Sequence, residues 1–139
     1  MKKLLFGITV LIVVLACSTQ KGAVKVNRHV ADEIAEDSIE YDIETFDGKF
    51  ETWYLMHKSP ALNRSQQYYE SWNKRYVTAW NYNAMTGRHN NFFETIVGYD
   101  PTIDYGFELN HELFHYFQYV EHVLNIPIIP GGGPKAVRY

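Results

Sequence analysis

Residues 99–125, YDPTIDYGFELNHELFHYFQYVEHVLN, decide how this chain folds. They read as one amphipathic helix with a turn in front of it and a proline stop behind it. Asp100-Pro101 is a start signal, because an aspartate caps free backbone N–H groups and a proline in the first turn gives up a donor that has no partner there. Asp104 is a second candidate cap. Asn125, which tolerates a left-handed turn, and Pro127, which cannot donate to a continuing helix, set the end. At about 100° per residue, Leu109, Leu113, Tyr116, Phe117, Val120, Val123 and Leu124 share one face, while His111, His115, Gln118 and His122 fall opposite. The expectation is an apolar stripe on the core and a histidine row facing solvent or a shallow groove.

The same helix holds a catalytic-looking motif, His111-Glu112-Leu113-Phe114-His115. Two histidines at i and i+4 project their rings side by side and can hold one Zn²⁺, with Glu112 as general base for a metal-bound water. A catalytic zinc needs a third protein ligand, which common solutions place after a chain-turning glycine or on a second helix downstream. Gln118 stands where the glycine would be, and 24 residues follow His115. Glu121 lies roughly 240° round the helix from His115, and His122 is roughly 10 Å beyond it along the axis. Neither reaches the same ion. The competing reading of the motif is a plain polar face.

The chain begins MKKLLFGITVLIVVLAC: two lysines, an apolar run over residues 4–16, then Cys17. This is the architecture of a secretory signal and is short for a membrane-spanning helix. Val14-Leu15-Ala16-Cys17 resembles the lipobox of bacterial lipoproteins, although Leu15 stands where a small residue is usual. That resemblance implies cleavage before Cys17 and acylation of its thiol, with acyl chains holding the protein on a membrane. Ser18 carries no acidic retention signal, which points to the outer membrane. Cys17 is the single cysteine, so the mature chain has no disulfide or thiolate site. Removing residues 1–16 leaves 123 residues and, with Lys2 and Lys3 gone, takes the net charge from −3 to −5. One domain is the natural count, and the scattered basic residues argue against nucleic acid.

Residues 17–37 read as a tether and 38–126 as the globular domain. Residues 38–46, SIEYDIETF, alternate strictly and read as a half-buried strand. Asp47-Gly48 turns into a short helix over 49–58, with Phe50, Trp53 and Tyr54 at helical spacing. Ser65 caps a long helix whose Tyr69, Trp72, Tyr76 and Trp80 form an aromatic stripe, read as core or as a stacking surface for a glycan or peptide. Residues 86–91 read as a loop and 92–99, FFETIVGY, as a second strand. Residues 127–139 read as a flexible tail, its first residues pinned by Ile126, Ile128 and Ile129.

Three segments, DSIEYDI at 37–43, YVTAWN at 76–81 and YDPTIDYG at 99–106, together resemble a family of small uncharacterised Bacteroidota lipoproteins built on a domain of unknown function. The resemblance implies an envelope location and no assigned activity; the histidine pair is not part of its pattern. The expected architecture is α+β: a small single domain with a two-stranded antiparallel sheet, or one extended by a partner, two long helices and one short helix. Two function classes follow. One is a lipid-anchored envelope protein that binds another envelope protein or cell-wall material and uses no cofactor. The other is a zinc-dependent hydrolase with His111 and His115 as metal ligands and Glu112 as catalytic base.

Overall fold

In the computed structural model, which describes residues 21–30 and 39–135, the alternating segment forms strand β2 (Ile39–Thr45). Tyr41, Ile43 and Thr45 are half-buried while Asp42 and Glu44 are exposed, the division that a two-residue period imposes. Its partner is β1 (Val24–Val30), paired antiparallel from Val24↔Thr45 to Val30↔Ile39. β1 lies in the stretch read as a tether. Its inward signal is short, Val24 and Val26, while Lys25, Arg28 and His29 stay exposed. Cys17, the rest of the signal-like segment and the last four residues lie outside the described residues.

Residues 92–99 do not form the second strand expected of them. Their β-branched and aromatic side chains serve packing: Phe92, Phe93, Val97 and Tyr99 are all buried. Side chains of the helix before them take the backbone groups that a neighbouring strand would pair. Trp80 Nε1 donates to the Thr95 carbonyl at 2.8 Å, and the Asn81 amide brackets Val97, donating to its carbonyl at 3.2 Å and accepting from its N–H at 2.8 Å. One isolated parallel bridge joins Phe93 to Gly22. A methyl group on Gly22 would collide with the rings of Phe92 and Trp80, so that close approach requires glycine.

The helices begin largely where local chemistry places them. Helix α1 (Gly48–His57) starts at Asp47, whose carboxylate accepts from the Lys49 N–H, and it buries Phe50, Trp53 and Tyr54. Helix α2 (Gln66–Thr86) is capped by Ser65, whose hydroxyl accepts from the Tyr68 N–H, and stops at Gly87 with φ of 63°. A single turn, α3 (Arg88–Asn91), replaces the expected loop. Helix α4 (Gly106–His122) starts after Asp104, whose carboxylate accepts from the Gly106 N–H. Asp100 caps a separate turn by accepting from Thr102 N–H and Oγ1. Asn125, at φ of 55°, makes the left-handed exit.

The placing of α4 overturns the expected orientation of its histidines. From Leu109 to Glu121 every residue except Glu112 is buried, including His111 at 4 % exposure, His115 at 6 % and Gln118 at 0 %. The helix is the axis of the domain, with α1, α2, the hairpin and the C-terminal segment around it. A two-faced helix can be enclosed in this way only if its polar side finds partners inside. Glu121 shows how. Its carboxylate accepts from Tyr76 Oη at 2.8 Å and from the N–H groups of Ile128, Ile129 and Gly133 at 3.1, 3.0 and 2.8 Å. Those bonds fold the start of the segment read as a flexible tail back onto the body, and Ile128 is 1 % exposed. Gly133 lies so close to Tyr76 Oη that a methyl group there would collide with it.

Candidate functional site

The histidine pair is the first candidate. The rings of His111 and His115 lie side by side with centroids 4.1 Å apart, as i, i+4 spacing requires. His111 uses both nitrogens: Nδ1 meets Tyr54 Oη at 2.8 Å and Nε2 meets Asn63 Oδ1 at 3.1 Å. The amide oxygen can only accept, so Nε2 carries the proton and Tyr54 donates to Nδ1. His115 Nδ1 lies 2.7 Å from the His111 carbonyl, which fixes the proton on Nδ1 and leaves Nε2 as a lone-pair nitrogen. That ring borders a cavity of about 20 Å³ shared with His57, Ser59, Asn63 and Tyr69, room for one water molecule and not for a substrate.

Electrostatics follow burial. It pushes the His115 imidazole down to about 4, winning over the bond to the His111 carbonyl, which acts the other way. His111 is lowered by burial and by the Lys58 ammonium. Glu112 is raised, first by burial and then by the carboxylates of Asp42, Glu51 and Glu108. Burial also raises the Tyr54 hydroxyl, with Glu112 and Glu108 adding to the effect. The structure thus brings His111 and His115 together, but a metal ion at His111 would have to displace Tyr54 or Asn63. Among the described residues no group of three His, Cys, Asp or Glu side chains is placed to hold an ion. His122 meets the Pro134 carbonyl at 3.3 Å, and Glu121 holds the C-terminal segment.

A second candidate was not singled out by sequence. A groove of about 780 Å³ runs between the outer face of α2 and residues 128–132. Ala79, Ile128, Ile129 and Pro130 supply apolar lining. Two cation–aromatic stacks also border it: the Arg75 guanidinium lies 4.8 Å from the Trp72 ring centre and that of Arg88 lies 5.4 Å from Tyr82. Trp72, assigned to the aromatic stripe, is only partly buried, whereas Tyr69, Tyr76 and Trp80 are core. The sequence signal was Trp72, Arg75, Ala79 and Tyr82 at i, i+3, i+7 and i+10, a second stripe beside the first.

The sequence profile of a family of unknown function, DUF6146, matches residues 5–128. The chain belongs to DUF6146. The match spans the hairpin, all four helices and Ile128 in the groove lining. No curated protein and no solved structure matches the chain. Among the described residues of this DUF6146 chain, no helix is long and apolar enough to cross a membrane.

Proposed function

We propose that this DUF6146 chain is a membrane-anchored lipoprotein of the cell envelope, held through acylated Cys17, whose domain binds a partner and performs no catalysis at its histidine helix. The observation that carries the non-catalytic half is the internal engagement of the H-E-x-x-H motif. Tyr54 and Asn63 occupy both ring nitrogens of His111, and the cavity beside His115 has room for about one water molecule. Support for the anchor comes from the sequence of residues 1–17, and Ser18 favours sorting to the outer membrane. The partner is an envelope protein or cell-wall material, and the domain needs no cofactor to receive it.

Metabolic labelling with an alkyne fatty acid, combined with zinc analysis of protein purified without a histidine tag, tests both halves. The wild-type chain takes up label and fractionates with membranes, whereas Cys17→Ser does neither, and the purified protein holds far less than one zinc per chain. Equal labelling of Cys17→Ser contradicts the anchor. Equimolar zinc that disappears in His111→Ala contradicts the non-catalytic reading.

A further inference from the structure

The groove between α2 and residues 128–132 has a charge pattern that selects its occupant. Its charged lining residues are Lys74, Arg75 and Arg88, all cationic, in a chain whose net charge is −3. Among the described residues the salt bridges are Lys21 with Glu94 and His29 with Asp42, so none of the three groove cations is in one. The guanidinium groups of Arg75 and Arg88 lie over the rings of Trp72 and Tyr82, which orders the side chains while leaving N–H donors for a ligand.

We infer that this groove is a docking site for an extended acidic peptide segment of a partner protein. The inference rests on the binding role proposed above and names its surface and ligand class. Spacing chooses a peptide over other anions. Trp72 and Tyr82 are ten residues apart on one helix, so the two stacks stand about 15 Å apart along its axis. Five residues of extended chain span about the same length, at roughly 3.3 Å each. A peptide with carboxylates four residues apart presents one to each guanidinium, and each can be held by two parallel N–H donors. The apolar side chains between them rest on Ala79, Ile128 and Ile129. One lipid headgroup carries its charge within a few ångströms and engages a single stack.

Fluorescence anisotropy tests this with the full chain in detergent micelles. The probe is a fluorescein-labelled six-residue peptide with glutamates first and fifth and leucine and valine between. Saturable binding is expected, about tenfold weaker for the glutamine analogue and about tenfold weaker again for Arg75→Gln or Arg88→Gln. Both arginines are exposed, and unchanged thermal unfolding of the variants shows that the fold is intact. Equal affinity for the glutamine analogue, no saturation up to about 1 mM, or indifference to both substitutions overturns the assignment. So does binding to phosphatidylglycerol vesicles that needs both arginines and that the peptide does not displace. A photoreactive residue at Thr78 in the groove, compared with one at exposed Phe46 beside the hairpin, separates the two levels of failure. Crosslinks from Phe46 alone overturn the groove and keep the binding role, whereas crosslinks from neither overturn both.

Discussion

The interior face of α4 and the outer face of α2 are both rich in polar and aromatic side chains, and they handle them in opposite ways. On α4 the polar groups are matched inside the protein: His111 with Tyr54 and Asn63, His115 with a backbone carbonyl, Gln118 with Tyr76, Glu121 with Tyr76 and three N–H groups. Among the described residues, the buried side-chain atoms left without a hydrogen bond are Asn73 Oδ1 and Thr95 Oγ1. By contrast, Lys74 and Arg75 of α2 and Arg88 of α3 line a groove whose described lining residues include no carboxylate. A motif's residue types therefore say less than the state of their partners. Polar groups with internal partners hold a fold together, and those presented outward are the ones that meet another molecule.

The largest break in that comparison comes from Glu121→Ala. It strips the acceptor from Tyr76 Oη and from the N–H groups of Ile128, Ile129 and Gly133. A loss of about 4 kcal/mol in urea unfolding is expected, together with loss of peptide binding, because the same bonds hold one wall of the groove.

A pH effect comes next. His115 stays neutral in the fold down to about 4, while in the unfolded chain it takes a proton near its ordinary 6.5. The unfolded state therefore binds more protons between these values, and stability falls as pH drops from 6.5 to 4, by up to about 3 kcal/mol from this group. His111 acts in the same direction and Glu112, whose folded value is raised, in the opposite one. Urea midpoints from pH 7 to 4 should fall for the wild type and flatten in His115→Leu; parallel curves would contradict the assignment.

Smaller still is Tyr54→Phe, which removes the donor to His111 Nδ1 and should cost about 1–2 kcal/mol with no change in zinc content. Smallest for stability are Arg75→Gln and Arg88→Gln, expected within about 0.5 kcal/mol of wild type by thermal unfolding despite their effect on binding. A groove substitution that destabilised the fold as much as Tyr54→Phe would erase the contrast between the two faces.

What was legible in sequence was local. Ser65 as a cap, the turn at Asp47-Gly48, the alternation of β2, the stripes of α1 and α2 and the left-handed exit at Asn125 each depend on residues a few positions apart, and each is present. The orientation of α4 was not legible, because the partners that admit its polar face lie far away: Tyr54 is 57 positions from His111, and Tyr76 is 45 from Glu121. A hydrophobic stripe shows which side is buried most, not whether the other side is also covered. The misreading of residues 92–99 has the same origin. Their composition suits a strand, but Trp80 and Asn81, fixed on a helix, take up backbone groups of Thr95 and Val97. The aromatic rows of α1 and α2 carried the missing signal, since both required a common surface and α4 lies between them. The groove escaped for a simpler reason: Trp72 was counted with the core stripe, although its ring borders the outward one.

The most direct measurement on the interior face is the NMR titration of imidazole nitrogens in ¹⁵N-labelled protein. His115 should remain the neutral Nδ1–H tautomer at pH 5. A His115 ring that titrates near 6.5, or that exchanges freely between tautomers, would place the histidine row at the surface and contradict the buried, internally matched helix.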